Sequence, residues 1–153
     1  MFTANPLTAA LTCPAEPYVR ADLELYGVDH SKASFEGRLF INNATAAPDT
    51  AMDDASGYAG SFWIFGHGGC AGAEGHCEPP QQRRAFDFRP PHQLIPVTKR
   101  IIITGRLREL VTPGEEFTVR IVPYVRPEHA AALPANLVAD LLRVERVSLV
   151  TYQ

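Results

Sequence analysis

Alternation of apolar and polar residues is the dominant pattern in this chain, and it predicts β-strands. In residues 18–26, Ala and Leu side chains occupy every second position and Arg, Asp and Glu occupy the positions between them. This is typical of a half-buried strand. A second alternating strand is predicted over residues 35–42, with a turn over residues 27–34. We therefore expect these two strands to form a hairpin.

The most apolar predicted strand covers residues 59–66, where Phe, Trp, Ile and Phe follow one another. A continuous apolar run indicates a strand that is covered on both faces, so we expect it at the centre of a sheet. Further strands are predicted near residues 99–104, 117–121 and 144–152. Pro123 is expected to end the strand before it or to move that strand to a sheet edge.

Short helices are predicted over residues 106–111 and 136–142, the second with Asn136 as its N-cap. Six or seven strands, separated by Gly and Pro turns and without alternating strands and helices, indicate an all-β antiparallel sandwich. We expect long loops and one or two short helices. The chain has 153 residues, which is enough for one domain with a core. We expect an N-terminal arm over residues 1–17 and a single β-sandwich domain over residues 18–153.

Composition narrows the class of protein. The 46% hydrophobic and 20% charged residues exclude a largely disordered chain, and 13 Pro with 11 Gly argue against a helix bundle. A net charge of −3 gives no general attraction to nucleic acid, and no apolar run approaches the ~20 residues that span a bilayer. Residues 1–11 lack the Lys or Arg of a secretory signal. We expect a cytoplasmic protein without a membrane span or a nucleic-acid partner.

Residues 66–77 form a segment rich in Gly, His and Cys, and we call it the Gly/His/Cys loop. It contains five of the 11 glycines, and glycine allows the close backbone paths that bring separated side chains together. Thiolate and imidazole are donors that copper and zinc prefer, so we expect a metal site, with copper ahead of zinc. Its candidate ligands are His67, Cys70, His76 and Cys77. Because His76 and Cys77 are adjacent, a site with two or three of these ligands is an alternative.

Two metal-free interpretations of the loop stay open. Cys70 and Cys77 would form a small disulfide, or they would lie buried as reduced thiols. His67 and His76 would then bond only to the backbone. The third cysteine, Cys13, has no obvious partner in the sequence.

The other histidines give weaker signals. His30 follows an Asp in a predicted turn and His129 lies in a Pro-bounded loop, so we expect both to be solvated. His92 follows two prolines and is ambiguous.

Basic residues concentrate after the loop. Residues 79–108 carry seven basic residues and one acidic residue, with two Phe among several Pro. Such a segment would dock on an acidic protein surface or on another subunit. The candidate partner-binding residues are Arg83, Arg84, Phe86, Phe88, Arg89 and His92. The alternative is a solvated Arg-bearing loop whose Phe rings lie in the core.

No known catalytic motif is present in the sequence. It contains no nucleophile elbow, P-loop or dinucleotide-binding Gly pattern, and its paired carboxylates lie in predicted turns. We therefore expect a protein that is not itself an enzyme.

Six segments of the sequence together carry a resemblance to a known family. They are Tyr-Ala-Gly-Ser-Phe at 58–62, Phe-Gly-His-Gly-Gly-Cys at 65–70, Gly-His-Cys at 75–77, Phe-Glu-Gly-Arg-Leu-Phe at 35–40, Arg-Pro-Pro-His at 89–92 and the closing residues 147–152. These segments resemble the C-terminal β-domain of bacterial type-3 copper tyrosinases, the polyphenol oxidases. The likeness covers most of the chain from about Tyr18 onward, and the Gly/His/Cys loop is its most distinctive part.

The resemblance implies an accessory role. Such domains resemble the β-sandwich of molluscan haemocyanin and lie beside the copper site, where they limit access or assist maturation. The family's dicopper centre needs six histidines, and this chain has five. We therefore expect a separately encoded, non-catalytic module that associates with a copper oxidase subunit or with another copy of itself. Its loop would bind or relay copper. The alternative is a metal-free structural subunit of a larger assembly.

Overall fold

Two antiparallel β-sheets form the framework of this computed structural model, which describes residues 5–68, 85–86 and 95–153. Within them there are seven strands: β1 (Leu7–Thr12), β2 (Arg20–Val28), β3 (Phe35–Ile41), β4 (Tyr58–Ile64), β5 (Val97–Ile102), β6 (Glu116–Tyr124) and β7 (Arg146–Tyr152). Three short helices accompany them: α1 (Thr104–Leu110), α2 (Pro127–Ala132) and α3 (Ala135–Val138). The predicted antiparallel β-sandwich is confirmed, with one more short helix than expected.

The strand order is β1-β6-β3-β4 in one sheet and β5-β2-β7 in the other. Alternate side chains of each sheet form one shared core, in which Leu23, Leu39 and Ile121 are fully buried. This burial supplies the main driving force for folding, because apolar surface leaves water on both inner faces. No helix among the described residues has the length and apolar character needed to cross a membrane.

The predicted hairpin between β2 and β3 is wrong, because the two strands lie in different sheets. β2 pairs with β5 and β7, whereas β3 pairs with β4 and β6. The connection over residues 29–34 therefore crosses from one sheet to the other. Packed sheets lie about 10 Å apart, a gap that six residues span easily. A strand shows the same alternation of apolar and polar residues whether the next strand in the sequence pairs with it in one sheet or packs against it from the other sheet.

Among the described residues β4 has a neighbouring strand on one side only, so it is an edge strand and not the central strand that its apolar run predicted. Phe62 and Ile64 are buried, but Trp63 between them is 63% exposed, and Phe65 beyond the strand is 80% exposed. Successive side chains of a strand face opposite sides. The apolar run therefore supplies the core with only half of its side chains.

β6 lies between β1 and β3, so the expectation that Pro123 moves this strand to an edge is wrong. Pro123 is opposite Gly37 of β3, whereas the pairing with β1 stops at Ile121. At Pro123 the strand thus has a neighbour on one side only. Proline is tolerated there because no second neighbouring strand needs the backbone N–H that proline lacks.

The N-terminal and helical segments differ in detail from the prediction. The expected arm over residues 1–17 contains β1, whose alternate residues pack towards the core while it pairs with β6. α1 confirms the helix predicted near residues 106–111 and buries Leu107. α3 begins after Pro134, so Asn136 is not its cap, and the helix ends before Leu142. No helix was predicted from the sequence at α2.

Candidate functional site

The start of the Gly/His/Cys loop is fixed against the connection between β2 and β3. β4 ends at Ile64, and the chain then runs beside residues 30–34. Three backbone N–H groups donate to that connection: Gly66 to the hydroxyl of Ser34 at 2.9 Å, His67 to the carbonyl of His30 at 2.8 Å and Gly68 to the carbonyl of Lys32 at 2.7 Å. The backbone at His67 is therefore held in one place.

Two of the loop glycines have a packing reason. A Cβ atom on Gly66 would overlap the carbonyl oxygen of Lys32, and one on Gly68 would lie 2.6 Å from the carbonyl carbon of Lys32. Only glycine allows two backbones to approach so closely. Gly66 and Gly68, two of the glycines that make this loop glycine-rich, are therefore required by the contact with the backbone of Lys32.

The side chain of His67 lies against a second histidine. Its Nδ1 is 3.1 Å from Nδ1 of His30, and the two rings are nearly perpendicular with centroids 4.9 Å apart. Both residues are half-buried. The ring of Phe65 meets that of His67 edge-on, with centroids 5.9 Å apart. The structure thus brings together one predicted ligand and one residue that was expected to be solvated.

His30 is also held at its other ring nitrogen. Its Nε2 lies 2.8 Å from the backbone carbonyl oxygen of Ile95. A carbonyl oxygen only accepts hydrogen bonds, so Nε2 carries the hydrogen and donates it. No local sequence pattern marks this residue, because its partners lie 37 and 65 positions away. The contacts of His30 follow from the arrangement of the strands and their connections.

An acidic residue precedes this pair in the connection. Burial tends to raise the pKa of Asp29, but hydrogen bonds from the backbone and side chain of Ser31 and the positive charge of Arg143 outweigh it and lower that pKa. The carboxylate therefore remains charged at neutral pH, and it orders the turn around His30. Among the described residues, no group of three or more His, Cys, Asp or Glu side chains is placed to hold a metal ion.

The remaining predicted ligands and most of the predicted partner-binding residues lie outside the described residues. These are Cys70, His76, Cys77, Arg83, Arg84, Phe88, Arg89 and His92. Phe86 is described and is 89% exposed, so its ring does not lie in the core as the alternative required. His129 is exposed, as expected, and Cys13 is buried as a free thiol.

Buried carboxylates elsewhere in the fold are neutralised by arginine. Asp22 and Glu24 on β2 and Glu36 on β3 are almost fully buried. The Nε atoms of three arginines donate to them: Arg20 to Asp22 at 2.7 Å, Arg100 to Glu24 at 2.7 Å and Arg38 to Glu36 at 2.9 Å. Hydrogen bonds from charged arginines are among the stronger ones in proteins, and here they occupy oxygens of the buried carboxylates. They have a structural role, and they do not form an acid/base pair.

An apolar groove of about 520 Å³ lies between the end of β6 and the two C-terminal helices. Its lining includes Pro48, Tyr124, Leu133 and Val138. Apart from the phenol of Tyr124, these side chains provide no nucleophile and no acid or base. The His30 and His67 pair is therefore the better candidate for chemistry within the described part of the chain.

No protein-family model matches the chain, and a search of curated proteins finds no significant match. The likeness to tyrosinase β-domains therefore rests on the motifs of the sequence alone.

Proposed function

We propose that this protein is a non-catalytic accessory β-sandwich that binds copper at the Gly/His/Cys loop and associates with a tyrosinase-like copper oxidase. The observation that supports it is the start of the loop. There the imidazole of His67 is half-buried, fixed by its own backbone and 3.1 Å from a second imidazole. Imidazole nitrogens placed side by side at the beginning of a segment that also supplies thiols are a donor set suited to a borderline or soft metal ion.

The donor types favour copper. Thiolates stabilise Cu(I), and imidazoles tolerate its oxidation to Cu(II), so a mixed set can hold both states. In the sequence, Cys70 and Cys77 are the thiols closest to His67. Transfer to a partner would proceed by ligand exchange, which needs a partly accessible site. Half-burial of both imidazoles meets that need, because the site is ordered by the fold and still reachable from its surface.

The accessory role is supported by what the chain contains. Its five histidines are too few for the six of a dicopper centre, and the structure brings only His30 and His67 together among the described residues. The buried carboxylates are occupied by arginine. A copper oxidase partner follows from the resemblance of the motifs, and it carries the catalytic step in this proposal.

A second candidate function is a metal-free interaction subunit. Three aromatic side chains support it, since Trp63, Phe65 and Phe86 are 63%, 80% and 89% exposed. Trp63 and Phe65 lie two residues apart on the same side of the chain as it leaves β4. Aromatic residues are enriched in the buried centres of protein interfaces.

Metal analysis distinguishes the two functions. We would purify the full chain under reducing conditions, load it with Cu(I), remove excess metal and measure copper by elemental analysis. Copper binding predicts about one ion per chain, with a large loss in Cys70→Ser, Cys77→Ser and His67→Ala. His129→Ala is the matched control, because His129 is exposed on α2. Low copper that is equal in the wild type and all variants would overturn the copper-binding function.

The accessory role needs a separate test. If a neighbouring reading frame encodes a six-histidine oxidase, we expect co-expression with this chain to raise the copper content and activity of that oxidase. The His67→Ala variant should fail to do so while it still binds the oxidase. Equal activity with and without this chain would contradict the accessory role.

A further inference from the structure

His30 has the arrangement of a metal-ligating histidine. Its Nε2–H donates to the carbonyl oxygen of Ile95 at 2.8 Å, and in the tautomer that carries only this hydrogen Nδ1 has a lone pair. Histidine ligands almost always donate their second ring N–H to a carbonyl or carboxylate, and this bond sets the tautomer and the ring orientation. Nδ1 of His30 lies at hydrogen-bonding distance from Nδ1 of His67.

The separation of the two nitrogens suits one shared ion. Two imidazole nitrogens bound at about 2.0–2.1 Å to a tetrahedral ion lie about 3.3 Å apart. The two Nδ1 atoms are 3.1 Å apart, close to that separation, and the rings are nearly perpendicular, at 81°, so they do not stack on each other. A single proton shared between the two nitrogens would fit the same distance, and the experiment below separates the two cases.

Contacts of the backbone hold both histidines in place. The backbone N–H of His67 donates to the carbonyl of His30 at 2.8 Å, which locks the two backbones together. Next to His30, Asp29 accepts a hydrogen bond from the N–H of Ser31, and its own N–H donates to the carbonyl of Arg143 at 3.0 Å. A site held by such supporting contacts needs little rearrangement to bind its ligand.

We infer that His30 is a ligand of the same ion as His67, that both bind through Nδ1, and that the ion is a borderline or soft transition metal such as copper or zinc. This inference rests on the proposed copper-binding function and adds a ligand from a different part of the chain. The ion then links three segments: the β2–β3 connection, the start of the Gly/His/Cys loop and, through Ile95, the residues before β5. Metal binding should therefore raise the unfolding temperature.

The test combines affinity with a direct view of the ring nitrogens. We would measure the affinity of the full chain for Zn²⁺ and Cu(I) by competition with a chromogenic chelator, for the wild type, His30→Ala and the control His129→Ala. Loss of an outer-shell partner costs about 10- to 100-fold in affinity, so loss of a ligand should cost at least about 100-fold. Thermal unfolding of the metal-free variants establishes that they fold.

The second measurement uses the wild type alone, so it does not depend on a variant that folds. Imidazole nitrogen NMR should show that Zn²⁺ shifts the Nδ1 signals of His30 and His67 while the Nε2–H of His30 persists. If the wild type binds metal but His30→Ala binds equally well and Nδ1 of His30 is unmoved, the inference is overturned and the copper-binding function stands. If the wild type binds no metal, both are overturned.

Discussion

The ring of Phe62 in β4 lies directly over Gly37 in β3, in the position that a side chain at residue 37 would occupy. The two residues are Cα partners in the antiparallel pairing, and a Cβ atom on Gly37 would overlap the ring. Phe62 is 6% exposed, so the ring has little room to move. The wall of the core at this point consists of a glycine backbone covered by an aromatic ring.

This contact predicts that Gly37→Ala destabilises the fold by about 1–3 kcal/mol, because overpacking a tight core forces neighbouring side chains out of their rotamers. Urea unfolding measures the change. The matched control is Gly105→Ala in α1, where nothing lies within 4 Å of the added Cβ. That substitution should be neutral or stabilise by up to about 1 kcal/mol through helix propensity. A Gly37→Ala variant as stable as the wild type would contradict the packing described.

A second prediction concerns Asp22, which is fully buried on the outer face of β2. Arg20 donates to both of its oxygens, at 2.7 and 2.8 Å. Asp22→Asn keeps the shape but removes the charge, so we expect a loss of about 1.5–3 kcal/mol, the range for hydrogen bonds to charged groups. The loss of stability should be smaller than for a fully buried ion pair, because the side chain of Arg20 is 44% exposed and can bind water once the charge of its partner is removed.

Chemical denaturation at low and high salt measures this effect. Glu115→Gln, which changes an exposed carboxylate, is the control and should change stability by less than about 0.5 kcal/mol. Equal stability of Asp22→Asn and the control would show that the arginine does not stabilise the buried carboxylate.

The third prediction concerns the phenol of Tyr18. Burial raises its pKa, and interaction with the thiol of Cys13 raises it further, while Arg108 opposes both effects. A raised pKa means that the neutral phenol is favoured in the folded state. Its contribution to stability is present below the ordinary pKa of about 10 and is lost as pH rises through the raised value.

Absorbance of the phenolate, compared between the wild type and Tyr18→Phe, gives the titration of Tyr18. We expect a midpoint above the ordinary value, and a lower midpoint in Cys13→Ala because the thiol no longer opposes ionisation. A midpoint that Cys13→Ala leaves unchanged would rule out the contact with Cys13.

The fourth prediction concerns Asp140, which has a positive φ of 52° between α3 and β7. Hydrogen bonds from Arg143 and then from Asn5 lower its pKa. A lowered pKa means that the carboxylate stabilises the fold above its ordinary pKa of about 3.9. That stabilisation is lost as pH falls through the lowered value.

Asp140→Asn is the suitable variant, because Asn also tolerates a left-handed backbone and only the charge changes. We expect its Tm to be slightly lower than that of the wild type at pH 7 and to converge with it at the acidic end. Thermal unfolding between pH 7 and pH 2 measures this. A Tm difference that does not change over this range would mean that the charge of Asp140 is not the cause.

Only part of the candidate site could be predicted from the sequence. Glycine density and paired thiol and imidazole donors identified the loop, because those residue types carry their chemistry wherever they lie. His30 was expected to be solvated, since nothing within its turn explains a partner. Its contact with His67 exists only because the β2–β3 connection crosses between sheets and meets the chain that leaves β4.

The sequence by itself determined six of the seven described strands, because the apolar and polar pattern of a strand is a local property, but it did not reveal β1 in the expected N-terminal arm. It also determined the fold class and the position of the donor-rich loop. Only the tertiary structure decided that β2 and β3 lie in opposite sheets, that β4 is an edge and that β6 is not. Strand pairing and sheet assignment depend on the total burial and hydrogen bonding of all strands together, so no single strand's pattern specifies its neighbours.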